Sequence, residues 1–235
     1  MARGRPRTLT RERILGAAVA LADRDGLESV TMRSVATELG VEAMSLYHHL
    51  PGKEGLLDGL VDSVMLEVDE ATATLAPGAD WRTDVRRRCL SARRVMLRHP
   101  WAPALFGTRT TAPRATFAHY EALLAIMVDA GFSYHLGHRA MHSLGSMVLG
   151  FVQELFNPAG SGDEAGQAEE SEEELARMAE LLPHLTAMVA SEVHENDGDM
   201  LGWCDSQAEF EFTLDLLLDG YESHRVASRP TSRER

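Results

Sequence analysis

The chain contains 235 residues, of which 44% are hydrophobic, a fraction that is ordinary for a soluble globular protein with a sizeable core. No apolar run approaches the roughly 20 residues that span a bilayer, and no uninterrupted apolar segment follows the basic N-terminus as in a secretory signal, so we expect a cytoplasmic protein. The net charge of −13 does not exclude a nucleic-acid partner, because residues 1–13 carry five arginines and one glutamate, whereas 163–174 carry seven acids and no base.

Residues 1–9 are predicted to form a flexible basic arm. Its arginines, Arg3, Arg5 and Arg7, alternate with Gly4 and Pro6 in a narrow strip. The minor groove of A·T-rich DNA concentrates negative potential and accepts arginine side chains. The arm is therefore expected to enter a minor groove if a DNA-reading element follows it, although a solvated tail has the same composition.

Helical periodicity follows the arm. A first helix is predicted between Thr10 and Gly26 and a second after Thr31, each with apolar residues at i, i+3, i+4 and i+7. Gly40 permits the left-handed backbone of a sharp turn between helices, and a third helix is predicted over 43–50. We therefore predict a three-helix helix-turn-helix domain over 10–57.

The remaining chain is also helix-periodic. A long helix begins at Lys53, and further helices are predicted over 80–98, 101–106, 113–130, 134–156, 169–195 and 205–225, with no alternating strand pattern. The predicted fold is all-α, with the helix-turn-helix domain joined by the long helix to a larger helical domain over 58–226. Residues 157–168 are small and polar enough for a mobile loop, and 227–235 are predicted to be a disordered tail.

The third helix is amphipathic in a way that suits the major groove. Leu46 and Leu50 can face the first two helices. The side chains left outside, on this helix and just beyond it, are those of Met44, Ser45, Tyr47, His48, His49 and Lys53. A serine can hydrogen-bond a base edge and a methionine can pack on a thymine methyl, whereas tyrosine, histidine and a lysine at a helix start suit backbone phosphates. The alternative is three ordinary core helices with polar outer faces.

Residues 40–50, followed by Lys53 and by Leu-Leu-Asp at 56–58, resemble the DNA-binding signature of the tetracycline-repressor (TetR) family. The resemblance covers about residues 10–60. The resemblance implies that the DNA-contacting positions are Arg33, Ala43, Met44, Ser45, Tyr47, His48, His49 and Lys53. We add Thr31, at the start of the second helix, to the predicted DNA-contacting residues.

A fainter resemblance continues into 58–226. Trp81, the Gly-Thr-Arg run at 107–109, and the segments 130–133 and 149–154 follow in the order of the tetracycline-repressor-type ligand domain. In the relative a histidine before Gly-Thr-Arg helps to bind a magnesium–drug chelate, whereas here Leu105 and Phe106 stand there. Asp69, Arg88 and Ala92 stand where the relative uses a His, an Asn and a Phe against the drug. A small-molecule effector other than tetracycline is therefore expected.

Methionine-rich and aromatic walls adapt to apolar ligands of varied shape, and helices of 58–226 supply such side chains. The residues predicted to bind the effector are Met65, Asp69, Val85, Arg88, Met96, Trp101, Leu105, Phe106, Arg109, Phe117, Tyr120, Leu124, Met147, Phe151 and Glu154. Arg88, Arg109, His99 and Glu154 are the candidates for orienting its polar groups. The alternative is that most of these residues are simply core.

Two segments of 58–226 suggest a subunit interface. Small residues along 134–156 allow a close approach, and Phe210, Leu214, Leu217, Leu218 and Tyr221 form one stripe on the last helix. Paired across a two-fold axis they could form the four-helix bundle that the resemblance implies. Alternatively, both faces are buried inside one subunit.

The leading hypothesis is a homodimeric DNA-binding repressor that a small molecule releases from a palindromic operator. The alternatives are a ligand-gated activator or architectural DNA binder, and a helical enzyme or metal-binding protein using His135, His138 and His142. No nearby carboxylate or thiol completes a metal set with these histidines, and no catalytic serine elbow or phosphate loop is present. We therefore expect no enzymatic activity, no metal and no cofactor.

Overall fold

A computed structural model describes residues 8–73, 78–110, 112, 114–152, 177, 179–192 and 206–227, with side chains described up to residue 188 in the range 179–192. The fold is all-α, as predicted: helices and turns, with no strand, make up these ranges. The helices are α1 (Arg11–Asp25), α2 (Met32–Leu39), α3 (Ala43–Leu46), α4 (Gly52–Ala73), α5 (Trp81–Arg98), α6 (Ala102–Phe106), α7 (Arg114–Asp129), α8 (Tyr134–Gly150), α9 (Pro183–Glu192) and α10 (Ser206–Ala227). In the described part of the chain, no helix is both long enough and apolar enough to cross a bilayer.

Helices α1–α3, called here the helix-turn-helix region, begin and end where local chemistry dictates. The Thr10 hydroxyl accepts from the Arg13 amide at the start of α1. Thr31 and Ser34 cap α2 reciprocally, each side chain accepting from the other residue's amide at 2.9–3.0 Å. Gly40 ends α2 in the left-handed conformation, with φ 66°.

The third helix is shorter than predicted. Regular α-helix covers Ala43–Leu46, and turns carry the chain on to Leu50. The amides of His49 and Leu50 both donate to the Leu46 carbonyl. Pro51 disfavours the α conformation at Leu50, so the turns after Leu46 cannot return to a regular helix before that residue. Leu46 and Leu50 are nonetheless both buried, at 0% and 2% exposure.

Helix α4 packs against α1 and α2 and also against α5, α6 and α7. Its 22 residues carry a buried stripe that includes Leu56, Leu60, Val64 and Val68. The helix approaches α1 closely at Gly59, where a Cβ would overlap the Leu15 side chain. One end of α4 therefore packs in the helix-turn-helix region, and the other end continues among the helices that follow.

The described residues fall into two compact units. One contains the described residues up to 152 and those from 216 onward, and the other contains those from 177 to 215. The predicted domain boundaries at 57 and 226 remain predictions. The segment 157–168, predicted to be a mobile loop, all but the first residue of the tail predicted over 227–235, and the arginines of the predicted arm lie outside the described residues.

Candidate functional site

The outer side of α3 and the turn after it form a polar surface with an apolar anchor beneath. Met44 is 71% exposed and Tyr47 is 50% exposed. His48, His49 and Lys53 are also exposed, whereas Ala43 and Ser45 are half-buried. Because Leu46 is fully buried, the neighbouring side chains are held in a defined orientation toward solvent.

Thr31 and Arg33, at the start of α2, are exposed as well. The Thr31 hydroxyl already accepts from the Ser34 amide, and Arg33 lies one residue beyond the first residue of α2. We call the nine exposed or half-exposed candidates the recognition surface: Thr31, Arg33, Ala43, Met44, Ser45, Tyr47, His48, His49 and Lys53. The other three candidates, Arg3, Arg5 and Arg7, lie outside the described residues.

A cavity of about 90 Å³ lies among α4, α5, α6, α7 and α8. Its walls are mostly apolar, with four aliphatic or thioether side chains on α8 alone. The lining residues are Met65, Val68, Arg88, Cys89, Ala92, Met96, Phe106, Thr116, His119, Tyr120, Leu123, Met141, Leu144, Gly145, Val148 and Leu149.

Three polar atoms in this lining are buried without a hydrogen-bond partner: Arg88 Nε, Thr116 Oγ1 and His119 Nδ1. Among the described residues, these are the buried side-chain nitrogen and oxygen atoms that have none. A buried unsatisfied polar atom costs about 1–3 kcal/mol, and all three atoms belong to residues that line this one cavity.

Burial dominates the protonation chemistry of the cavity. It lowers the pKa of His119 to about 4, with the Arg88 charge acting in the same direction. His119 Nδ1 lies 3.6 Å from Asp69 Oδ1, but with that pKa the ring is neutral near pH 7 and the two do not form an ion pair. Burial also raises the pKa of the Cys89 thiol to about 12 and lowers the pKa of Arg88, although the Asp69 charge opposes the latter shift.

A second polar group lies where α1, α4 and the α5–α6 connection meet. His99 is buried, with Nδ1 2.8 Å from Asp23 Oδ1 and Nε2 2.8 Å from Glu67 Oε2. Trp101 Nε1 donates to the same Asp23 oxygen at 2.7 Å. Burial raises the pKa of Glu67, but hydrogen bonds from His99 and Arg98 outweigh it and leave that pKa below its usual value. We call Asp23, Glu67, His99 and Trp101 the junction cluster.

Two family descriptions match this chain. That of "Bacterial regulatory proteins, tetR family" matches residues 14–60, and that of "Tetracyclin repressor-like, C-terminal domain" matches residues 75–225. The chain belongs to the tetracycline-repressor (TetR) family. It is therefore a DNA-binding transcriptional regulator, and the recognition surface lies within the matched N-terminal segment.

Individual relatives agree with this assignment. An HTH-type transcriptional regulator of Saccharopolyspora erythraea is 38% identical over 61% of this chain, a match that spans 58% of that relative's length. Tetracycline repressor protein class C of Escherichia coli is 30% identical, with 94% of each chain covered. The crystal structure of a possible TetR family transcriptional regulator from Streptomyces coelicolor A3(2) superposes with a TM-score of 0.70 at 27% identity, covering 91% of this chain and 98% of that one.

The cavity of this TetR-family chain includes some of the predicted effector residues. Met65, Arg88, Met96, Phe106 and Tyr120 line it, and Asp69 borders it through His119. Predicted residues that are buried but absent from the lining are Val85, Leu105 and Met147, and those only partly buried or exposed are Leu124, Phe117 and Phe151. Glu154 lies outside the described residues.

Three polar residues predicted for the effector are engaged elsewhere. His99 and Trp101 belong to the junction cluster. Arg109 Nη1 donates to Glu54 Oε2 at 2.8 Å and to Asp58 Oδ1 at 3.2 Å, so it ties the segment after α6 to the start of α4. These side chains therefore bond to residues of α1 and α4 and do not line the cavity.

The main lining residues that sequence reasoning missed are Thr116 and His119. A signal was present, because Thr116, His119, Tyr120 and Leu123 are spaced i, i+3, i+4 and i+7 on α7 and so share one face. Extending the prediction for Tyr120 along its own helix face would have found the other three.

Four of the five residues of the predicted stripe on α10 are buried within the chain, and the fifth, Leu217, is half-buried. Phe210, Leu214 and Leu218 are fully buried and Tyr221 is 7% exposed, and the Tyr221 hydroxyl contacts Ser143 Oγ on α8. For α10 this outcome favours the alternative interpretation, burial inside one subunit, whereas on α8 the small residues Ser146 and Gly150 are exposed. Phe212 and Leu216, on another face of α10, are 62% and 56% exposed.

The histidine face of α8 does not form a metal cluster within the described residues. His138 Nε2 and His142 Nε2 lie 3.0 Å apart, but no described group of three or more His, Cys, Asp or Glu side chains is arranged to hold a metal ion.

Proposed function

We propose that the chain is a homodimeric transcriptional repressor that binds a palindromic operator and releases it when a small molecule enters the cavity. The observation that carries this proposal is that α4 has Lys53 of the recognition surface at its start, and Met65 and Val68 of the cavity wall three to four turns later. One helix therefore serves both sites. Because this role requires access to the chromosome, we place the protein in the cytoplasm.

DNA recognition is assigned to the recognition surface. Met44 and Ser45 are presented toward base edges in the major groove, while Tyr47, His49 and Lys53 suit phosphates. A helix-turn-helix of this size contacts few base pairs, so a second copy about 34–36 Å away, one helical turn of DNA, is needed for an operator of useful length.

The coupling between the two sites runs through polar contacts as well as through α4. Arg109 joins the segment after α6 to Glu54 and Asp58 of α4. The junction cluster joins the α5–α6 connection to α1 and α4. A ligand that separates α4 from α6 or α7 would shift both contacts, and a coupling of about 1–3 kcal/mol is enough for a useful change in operator affinity.

Dimerisation is assigned to the exposed apolar face of α10, which carries Phe212 and Leu216 with Gly220 one turn further. This face supports pairing with a second copy, since large exposed apolar groups at i and i+4 form a contact stripe. The substitution Leu216→Asp is expected to yield monomers in sedimentation experiments, with Leu66→Asp, at an exposed position of α4, as the matched control.

The operator can be identified by selection from random DNA sequences. The purified full-length protein would be used to select binding sequences from a random pool of duplex DNA. Binding to the selected sequence would then be measured by fluorescence anisotropy at several salt concentrations. We expect a palindrome with half-sites one helical turn apart. Failure to enrich any palindrome would contradict the proposal, and transcription assays on the selected site would separate repression from activation.

Variants connect that binding to the recognition surface. Tyr47→Ala and Lys53→Met are each expected to weaken operator binding by about tenfold or more. Lys53→Met should also lower the slope of log affinity against log salt concentration by about one for each phosphate that the lysine neutralises. Leu66→Ala serves as the control because Leu66 is exposed on α4 but lies outside the recognition surface. Unchanged affinity in Tyr47→Ala and Lys53→Met would exclude this surface as the reader.

A further inference from the structure

We propose that the effector is an organic acid, with an apolar body held by the methionine-rich walls of the cavity and a carboxylate held by Arg88, Thr116 and His119. This inference rests on the proposed function, because it names the chemical class of ligand for the same site. It goes further in assigning a charge to the ligand and a role to each unpartnered polar atom.

The apolar part of the inference follows from the walls. Met65, Met96 and Met141 are flexible thioethers on three different helices, and Leu144 and Val148 of α8 also line the cavity. An apolar cavity of about 150 Å³ in another protein holds a benzene ring, so the present 90 Å³ suits a short or branched hydrocarbon group. Methionine side chains can rearrange to admit a larger one.

The inference that the ligand carries a carboxylate follows from Arg88. Its Nε is buried and has no hydrogen-bond partner, and a guanidinium group can only donate. The ligand must therefore bring an acceptor to this point. A carboxylate fits best, because its two oxygens match the arginine fork and charge-assisted bonds of this kind are roughly twice as strong as neutral ones.

Thr116 and His119 extend the same acceptor site. They lie three residues apart on α7 and so share one face of that helix, and both line the same cavity as Arg88 of α5. The Thr116 hydroxyl can donate to a carboxylate oxygen, and His119 can donate from Nδ1 in the corresponding neutral tautomer. An amine, which brings donors and a positive charge, would leave Arg88 Nε unsatisfied.

The other charged group near the cavity is compatible with an anion. Asp69 Oδ1 lies 3.6 Å from His119 Nδ1, and the Asp69 charge acts on Arg88. Burial raises the pKa of Asp69, so its charged form is less favourable here than in water, and an incoming carboxylate would compete with it for Arg88 and His119. Burial likewise lowers the pKa of Arg88. An incoming anion would favour the charged guanidinium and relieve part of this cost.

The test is a calorimetric comparison of matched ligands. The linear carboxylates from butanoate to decanoate, together with benzoate, would be titrated into the full-length protein at pH 7, each beside its primary amide. We expect at least one acid to bind, and its amide, of nearly the same size and shape, to bind at least about tenfold more weakly, a difference equivalent to one strong polar contact.

Substitutions test whether the preference for an acid over its amide arises from Arg88 and Thr116. Arg88→Met keeps the length and apolar stem and is expected to abolish the preference for acid over amide, whereas Arg87→Met, at an exposed position on the same helix, is expected to leave it unchanged. Thr116→Val removes only the hydroxyl and should reduce acid binding severalfold. It keeps the test informative if Arg88→Met does not fold, which circular dichroism would show.

Three outcomes would overturn the inference: no acid in the series binds, an amide binds as tightly as its acid, or the preference survives in both Arg88→Met and Thr116→Val. These results are independent of DNA. If the protein still selects a palindrome and dimerises, the proposed function stands and only the class of effector is wrong. If acids bind with this preference but no palindrome is selected, the class of ligand stands and the proposed repressor function is wrong.

Discussion

The buried interiors of the helix-turn-helix region and of the cavity region differ in chemistry. Around α1–α3 the buried residues are apolar, as at Ile14, Val35 and Leu46. The buried polar or charged residues of the described chain all lie from α4 onward: Thr72, Ser91, Arg93, His99 and Thr116. The interior of α1–α3 is therefore stabilised by apolar packing alone. The interior from α4 onward also depends on polar contacts, which a ligand or a small movement can change.

This difference suits a regulator that must both hold a DNA-binding surface in place and respond to a bound molecule. A closely packed apolar core holds the recognition surface in one arrangement, because rearranging it would expose or separate apolar groups. Unsatisfied buried polar atoms leave hydrogen-bonding capacity that a bound molecule can use, and a ligand shifts the conformation toward whichever arrangement it binds better. The following predictions test this division, from the largest expected effect to the smallest.

The apolar interior is tested most strongly at Leu46. Leu46→Ala should lower the free energy of unfolding by about 3 kcal/mol, since it removes a fully buried side chain and leaves a cavity. Met44→Ala, two residues away and 71% exposed, should change it by no more than about 0.5 kcal/mol. Chemical denaturation followed by circular dichroism would measure both, and similar losses in the two variants would contradict the burial pattern of α3.

The polar interior is tested by pH at His119. Because burial lowers the pKa of His119 from 6.5 to about 4, the unfolded chain binds this proton more tightly than the folded protein does. The associated stability is complete above pH 6.5 and is lost as the pH falls toward 4, by at most about 3 kcal/mol.

The measurement is the difference in unfolding free energy between pH 7 and pH 4.5, for the wild type and for His119→Gln. Carboxylates titrate in both proteins and cancel in the comparison. We expect the wild type to lose more stability than the variant, and equal losses would show that His119 is not buried in the neutral form.

The connection between the two regions is tested at Asp23. Asp23→Ala leaves His99 Nδ1 and Trp101 Nε1 without their acceptor, at a cost of about 2 kcal/mol of unfolding free energy. Asp25→Ala removes a carboxylate from the same helix that pairs with exposed Arg24, and its cost should be within about 0.5 kcal/mol. A shift in Trp101 fluorescence should accompany the first substitution and not the second.

The smallest effect is expected at a helix cap. Thr31→Ala removes the oxygen that accepts from the Ser34 amide and should cost about 1 kcal/mol. Thr37→Ala, in which an exposed threonine bonded to the Arg33 carbonyl is replaced inside the same helix, should be close to neutral. If the two variants were equally stable, the capping box would not contribute to the helix-turn-helix region.

The sequence alone was sufficient for the features that depend on nearby residues. The all-α fold follows from helical periodicity, and the caps of α1 and α2 follow from Thr10, Thr31 and Gly40. The exposed side chains of residues 43–53 could be predicted because they occupy one short segment. Within it, burial of Leu46 and Leu50 determines which of the neighbouring side chains face solvent.

The tertiary structure alone decided how distant segments meet. The cavity draws on five helices, and the junction cluster joins Asp23 to His99 across 76 positions of the chain. Periodicity shows that a helix has an apolar face but not which neighbour covers it, so Trp101 and Arg109 could not be separated from the effector site, nor the α10 stripe from a subunit interface. Those choices depend on how helices pack, which is a balance of long-range contacts that no local pattern contains.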